Sequence, residues 1–422
     1  MGSKKVWKAF TAGMTGIIAA GCILGAAESV VSAEGAVNFK DKLPAWAKPD
    51  IEYAAAKGYM KGDERGKFNP NATISRAEFA AILARASSNP SDAGITGFGN
   101  IPGWSQDEVN MAVSKGFISP GDYPNGFNPN IPLTRRELAK WVASGLAAKD
   151  ADFKKALSDT ADTLVPVAEY YKGGLNKADY PYVSVALGTG LMGGYPDGRF
   201  GPAQTTTRAE AAVILRRFES IQGKKPDAFQ DLKEFREVGL TGTNAISLGF
   251  EYAKDNGVEE SFKKIRNVST QLKNNIATIK LNRFILVNAS KATDVKNLYG
   301  RMFVDKDYGT AFKMKKDRYE VFVEYAFTSN IDNMDVMTYL NSSSSPFLHL
   351  VGFKSGTISK FGIKTMPYLM GLVDKEHFFK KGIEVTFWGN GFILSNLPIS
   401  DKDNGVSITV SGGKTFSIYK LD

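Results

Sequence analysis

Three segments of this chain repeat one another, and that constrains its fold more than any single motif. The first reads Phe39-Lys40-Asp41, then Trp46, then Ile51 to Gly58, and ends in Ile74-Ser75-Arg76-Ala77-Glu78-Phe79. The second reads Phe98-Gly99-Asn100, then Trp104, then Val109 to Gly116, and ends in Leu133-Thr134-Arg135-Arg136-Glu137-Leu138. The third reads Leu157-Ser158-Asp159, then Val183 to Gly190, and ends in Thr206-Thr207-Arg208-Ala209-Glu210-Ala211. Phe68, Phe127 and Phe200 each precede the arginine of their own segment by eight residues, and Trp46 to Gly58 and Trp104 to Gly116 both span twelve.

Each unit is predicted to be helix, loop, helix. Ile51, Ala54, Ala55 and Gly58 recur at helical spacing, and Gly58 suits a helix C-terminus. A turn rich in Gly, Asn and Pro follows at Gly66, Asn69, Pro70 and Asn71. Ser75 with Glu78, Thr134 with Glu137 and Thr207 with Glu210 form capping boxes, in which hydroxyl and carboxylate satisfy backbone N–H groups at the second helix start. Apolar stripes such as Phe79, Ile82 and Leu83 then face a core shared among the repeats, because one unit alone buries too little surface.

Arg76, Arg135 and Arg208 take the first helical position of each copy. A cation there opposes the helix dipole, at a cost of a few tenths of a kcal/mol. Two readings account for it. The guanidinium fork, exposed N–H groups and dipole converge on an anion; or the arginine stacks on a tryptophan or pairs with a carboxylate such as Asp41.

The Phe-x-Asp start, the Gly-x-Phe-x-Pro turn and the Ser/Thr-Arg-x-Glu box, taken together over residues 38–220, resemble the S-layer homology (SLH) domain. The resemblance implies a pseudo-threefold α-helical spindle with three prongs. It also implies a ligand, a secondary cell wall polysaccharide with a pyruvylated N-acetylmannosamine terminus. Carried over from the family, the binding residues are Arg76, Arg135 and Arg208, Asp41 and Asp159, Trp46 and Trp104, Gly62 and Gly194, with Asn100 standing in for Asp in the second repeat. The second repeat also has Pro120 in place of the loop glycine, and the third has Ala178 where tryptophan is expected, with Tyr180 or Tyr182 as replacement rings and an insertion spanning Pro166 to Leu175. A formal charge of +9 suits an acidic glycan.

Lys4, Lys5 and Lys8, the apolar run Ala9–Ala27 and Val31-Ser32-Ala33 have the pattern of a secretory signal peptide over residues 1–33. An uncleaved membrane anchor is the other reading, and Ala19-Ala20-Gly21-Cys22 loosely resembles a lipobox that would lipidate Cys22, the single cysteine. The repeats are expected at 34–91, 92–150 and 151–222, a linker at 223–229, and a C-terminal domain at 230–422. That domain reads as mainly antiparallel β with some helix (α+β), with a sandwich as the expected arrangement. Its expected elements are a helical stretch over Phe250–Leu272, strands over Ala277–Val287, Tyr319–Phe327, Ile383–Phe387 and Phe392–Leu394, and a hairpin turning at Gly412-Gly413.

No catalytic motif emerges. His349 and His377 lack metal-ligand spacing, and Asp401–Gly405 lacks the distal glutamate of a calcium loop. The expectation is a secreted, non-enzymatic surface protein of a Gram-positive-type bacterium, with no cofactor, no nucleic-acid partner and no stable transmembrane span, held on the wall polysaccharide and able to self-assemble into a lattice. Alternatives are a wall-anchored glycan hydrolase or an adhesin, with activity in 230–422.

Overall fold

The computed structural model describes residues 38–91, 97–99, 101, 103–288, 295–308, 318–332, 334–342, 346–348, 350–366, 379–394 and 406–420. The leader with Cys22, Asn100, His349, His377 and Asp401–Gly405 lie outside them. Among the described residues no helix is long and apolar enough to cross a membrane.

The N-terminal half is helical: α1 (Lys48–Ala56), α2 (Arg76–Ala86), α3 (Gln106–Ser114), α4 (Arg135–Lys149), α5 (Ala151–Asp159), α6 (Glu169–Lys172), α7 (Tyr180–Gly188) and α8 (Arg208–Ile221). All three capping boxes form. At α2, the Ser75 hydroxyl accepts from the Glu78 N–H at 3.2 Å, and the Glu78 carboxylate accepts from the Ser75 N–H at 2.8 Å. Thr134 with Glu137 and Thr207 with Glu210 do the same at α4 and α8.

The segments entering these three helices bond to one another in a cycle. The Ile74 N–H donates to the Thr206 carbonyl (3.0 Å), Thr206 to Leu133 (2.9 Å), and Leu133 back to Ile74 (2.9 Å). The first N–H of each helix bonds in the opposite rotation, from the first repeat to the second to the third: Arg76 to Ile131, Arg135 to Gln204 and Arg208 to Ala72. So does the second: Ala77 to Pro129, Arg136 to Pro202 and Ala209 to Pro70. Helix N-termini leave such donors without intrahelical partners; here a neighbouring repeat supplies them. Phe68, Phe127 and Phe200 are buried in one core with Phe79, Trp141 and Phe218.

Residues 223–229, expected to be a linker, are mostly exposed, with points of attachment. Pro226 is buried, and Lys225 pairs with Asp150 at 2.8 Å. Helix α9 (Gln230–Thr241) then lies on α5 and α7. The approach is close. A Cβ on Gly239 would sit 2.0 Å from the Asp159 carbonyl oxygen, and one on Gly188 2.8 Å from the Leu232 backbone.

The stretch Phe250–Leu272, expected to be helical, instead forms short strands: β1 (Phe250–Tyr252), β2 (Lys254–Asp255), β3 (Val258–Glu259) and β4 (Thr270–Gln271). The reason is the turn Asn256-Gly257, where both residues have positive φ (48° and 79°), as a tight hairpin between β2 and β3 requires. Long strands follow: β5 (Ala277–Asn288), β6 (Arg318–Ser329) and β7 (Glu384–Leu394). Expected as two pieces, β7 is one strand running through Gly389 and Gly391, where side chains would collide with Leu350. The two-glycine hairpin is present as β8 (Val406–Thr409) and β9 (Thr415–Lys420), with Gly412 and Gly413 at positive φ.

Among the described residues these strands pair antiparallel, in the orders β4-β5-β6-β7, β1-β9-β8 and β2-β3. One face of the large sheet packs Phe284, Val323 and Tyr325 in a core with Phe416 and Ile418 of the smaller sheet. The opposite face packs Ile285, Phe322 and Trp388 in a core with Leu164 from the third repeat.

That second face also carries charge. A bulge between Leu281 and Arg283 puts Arg283 opposite Glu324, and the two form a buried ion pair. Arg283 Nη2 donates to the Tyr170 hydroxyl (2.8 Å), the Tyr171 hydroxyl to Glu324 (2.8 Å), and Trp388 Nε1 to the Tyr171 hydroxyl (2.9 Å). Tyr170 and Tyr171 belong to the insertion in the third repeat, so this network joins the helical and sheet parts. Glu324→Gln leaves the Arg283 charge buried without its counterion. It is expected to lower stability by about 3 kcal/mol, read as a shift in urea-denaturation midpoint.

Candidate functional site

The three arginines do not serve their own repeats. Arg208 Nε donates to the Phe68 carbonyl (2.9 Å) and its Nη2 to Lys61 (2.7 Å). Arg135 Nε donates to Phe200 (2.8 Å) and its Nη2 to Gly193 (2.7 Å). Arg76 Nη1 donates to Phe127 (2.6 Å), and its Nη2 pairs with Glu137 at 2.5 Å. The rotation matches that of the N–H groups at the helix starts. Aromatic faces complete each seat: Tyr123 under Arg76, Tyr195 and Phe200 under Arg135, and Phe68 under Arg208. The exposed helix N–H groups expected to receive an anion are already taken, two by the neighbouring repeat and one by the capping hydroxyl. What can receive a ligand is the remainder of each guanidinium.

Around Arg208 lies a groove of about 740 Å³. Asp41, Gly62 and Asp63 come from the first repeat, and Arg208 from the third. Asp41 accepts the N–H groups of Phe68 (2.8 Å) and Asn69 (2.7 Å) and so fixes the turn. Desolvation pushes its carboxyl up, but these N–H groups and Lys67 outweigh it and hold the group below the usual carboxylate range. Asp63 is held far lower still, chiefly by the Lys67 N–H and the Asn69 amide. Asn69, at φ 57°, shapes the turn, and a side chain on Gly62 would press on the Lys67 carbonyl and the Phe39 ring at 3.0 Å. Lys42, Lys61 and Arg65 join Arg208 as cations of the wall, against Asp41, Asp63 and Glu78.

The third repeat builds the same frame. The Tyr195 N–H donates to Arg199 as the Asp63 N–H donates to Lys67, and Ala168 donates to Gly198 as Lys40 donates to Gly66. The carboxylate that fixes the turn is Glu169, which accepts Phe200 N–H (2.9 Å) and Gly201 N–H (2.8 Å). Asp159 therefore has a different role from the one expected. It is buried at the end of α5 and pairs with Arg236 (3.0 Å) and Lys155 (2.9 Å).

The family of the S-layer homology domain matches the chain at residues 38–80, 99–139 and 176–212. The chain carries three S-layer homology domains. It is also similar to the S-layer protein EA1 of Bacillus anthracis, with 28% identity over 411 residues covering 92% of this chain and 44% of that protein. The surface-layer 125 kDa protein of Lysinibacillus sphaericus is 25% identical over 365 residues, 83% of this chain and 29% of its own length. An amylopullulanase of Thermoanaerobacterium thermosulfurigenes is 27% identical over 191 residues, 42% of this chain and 9% of the enzyme. The chain spans less than half the length of each of these relatives.

Of the residues expected to act, the groove of the first S-layer homology domain brings together Asp41, Gly62 and Arg208. Arg76 lies instead beside Tyr123 and Glu137 of the second domain, and Arg135 near Gly194 of the third. Gly194 mirrors Gly62, its missing Cβ lying 3.1 Å from the Arg199 carbonyl. Pro120 opens a short 3-10 turn (Pro120–Asp122) that reshapes the second loop. Trp46 and Trp104 are each 59% exposed, and Trp46 does not line the first groove. Ala178 is exposed, while Tyr180 packs on Tyr170 and Tyr182 lies under Lys140. Sequence reasoning missed Glu169, whose signal was its distance of 31 residues from Phe200, closer than Asp159 to the 27 separating Asp41 from Phe68.

Asp41 has a folded pKa below its ordinary value, so it stabilises the fold at neutral pH and loses that contribution as pH falls through the folded pKa. Asp41→Asn is expected to melt earlier than the parent at pH 7. The gap should close as pH is lowered from about 5 to about 3, a comparison made by thermal melts followed by circular dichroism.

Proposed function

We propose that this is a cell-surface protein of the S-layer type, anchored non-covalently to the wall by its S-layer homology domains. The ligand is an acidic secondary cell wall polysaccharide, with a pyruvyl carboxylate as the group the arginines read. The observation that carries this reading is the groove between the first and third domains. There a guanidinium is held edge-on by two backbone carbonyls and faces Glu78 at 3.5 Å, beside three further cations, of which Arg65 pairs with Asp63, and the hydrogen-bonding carboxylate Asp41. A carboxylate is suited to the remaining donors of the fork. Sugar hydroxyls and an acetamido group are suited to Asp41, Asp63 and Asn69. On this reading the rotation of contacts among the repeats is that of the pseudo-threefold spindle, and its grooves gain by engaging one polymer together.

The role of the remaining half as a surface or lattice module, rather than an enzyme, is supported by alignment length. An overlap covering 92% of the chain extends well beyond residues 38–222, so the S-layer relatives share the sheet part too. The 191-residue overlap with the amylopullulanase is about the length of the three repeats. The buried carboxylates Glu320 and Glu324 of the large sheet are paired with Arg318 and Arg283. Secretion, placement on the wall of a Gram-positive-type cell and self-assembly belong to the same proposal.

The test is co-sedimentation of the full chain with purified sacculi, before and after removal of the secondary polysaccharide. Binding is expected to require the polysaccharide and to weaken in high salt. Arg208→Lys keeps the charge and loses the fork, and should weaken binding about tenfold, the worth of one charge-assisted hydrogen bond. Undiminished binding to stripped sacculi overturns the proposal.

A further inference from the structure

The three arginines are not held alike, and the second groove is the exception. In the first and third, Nε and Nη2 of Arg208 and of Arg135 each donate to two carbonyls of the receiving turn. The capping-box glutamate of the receiving repeat stands back from them. Glu78 is 3.5 Å from Arg208 Nη1, and among the described residues Glu210 makes no ion pair with Arg135. Arg76 is turned round. Its Nη1 takes the Phe127 carbonyl (2.6 Å), while Nε and Nη2 both go to Glu137 Oε1, at 2.8 and 2.5 Å.

The cause lies in the loop. Ser119 stands where Lys61 and Gly193 stand, one residue before Pro120 in the place of the loop glycine. Its carbonyl is already used by the Asp122 N–H (3.0 Å), within the short turn that Pro120 opens. With that acceptor taken, the guanidinium rests on Glu137 instead. Glu137 is held ready to meet it. Its Oε2 accepts the N–H (3.0 Å) and hydroxyl (2.8 Å) of Thr134 in the capping box, and its Oε1 also accepts the Tyr123 hydroxyl (3.4 Å). The Tyr123 ring lies under the guanidinium at 4.8 Å, and Trp141 Nε1 fixes its hydroxyl at 2.9 Å. Ile82 and Ile214 stand where Trp141 stands, so neither other repeat can make this last bond. The ion pair is sheltered, with 13% and 17% of the two side chains exposed. At the same loop Lys140 is paired with Asp122 at 2.6 Å.

We infer that Glu137 closes the second groove, so that the acidic glycan is gripped by the first and third grooves and not by the second. The inference rests on the anchoring reading above. Carbonyls hold an arginine without cancelling its charge, whereas a fixed carboxylate cancels it. A pyruvyl carboxylate approaching Arg76 meets a like charge already seated there. Glu137 is then a selectivity residue: it lets the second repeat keep its place in the cycle of helix starts while withdrawing its arginine from the ligand.

The experiment counts, by equilibrium dialysis, how many short pyruvylated fragments of the wall polysaccharide the full chain binds at saturation. The parent is expected to bind no more than two. Glu137→Gln keeps the capping box, which a glutamine also closes, and removes the opposing charge. It is expected to bind one fragment more than the parent. Adding Arg76→Lys to that variant removes the fork, and should weaken the added site about tenfold, the worth of one charge-assisted hydrogen bond. The closure by Glu137 is refuted, and the anchoring reading stands, if the parent binds three fragments, if Glu137→Gln binds no more than the parent, or if the added site is indifferent to Arg76→Lys. A parent that binds no fragment at all overturns the anchoring reading itself.

Discussion

The cycle of backbone hydrogen bonds among Ile74, Leu133 and Thr206 is the constraint on which the N-terminal half depends. A helix that begins in the interior must satisfy its first N–H groups or lose the free energy of burying them. In this chain those donors are met by carbonyls of the next repeat, and the arginine side chains follow the same rotation. The repeats are therefore not three small domains on a string. None can form its second helix start without its neighbour, and the core that holds Phe68, Phe127 and Phe200 closes as the cycle closes.

From this follows the composition of the grooves. An arginine at the first helical position is poorly placed with respect to its own dipole, but it points across the junction at a turn of another repeat. There two carbonyls and an aromatic face hold it, and the dipole penalty is offset by charge-assisted hydrogen bonds. The carboxylates Asp41 and Glu169 do for the turns what the carbonyls do for the arginines: each fixes two consecutive N–H groups. The groove is a by-product of solving a hydrogen-bonding problem at a helix junction, and specificity is then a matter of which side chains line it.

What was legible in the sequence was local. Ser75 with Glu78 and its two counterparts announce helix starts because the box is closed within four residues. Strands β5 and β6 are legible because branched and aromatic residues dominate them. The exchange of arginines between repeats was not legible, since the contact Arg208 to Phe68 spans 140 residues and no local pattern encodes it. Asp159 was misassigned because Leu-Ser-Asp imitates the repeat start while the insertion moves the true carboxylate to Glu169. The mixed charges of the stretch after Phe250 suggest a helix, but Asn256-Gly257, with both residues at positive φ, dictates a hairpin.

The joint made by Tyr170, Tyr171, Arg283, Glu324 and Trp388 bears on how such a molecule transmits force. The covalent connection between the two halves runs through residues 223–229, yet a pull on the sheet part does not reach the repeats by that route alone. It reaches them also through a buried network seated on the middle of strand β6 and fastened to the third repeat. Strain is then spread over several hydrogen bonds and an ion pair at once rather than taken by them one at a time. On the anchoring proposal, that makes the connection between the two halves a stiff bracket rather than a flexible tether.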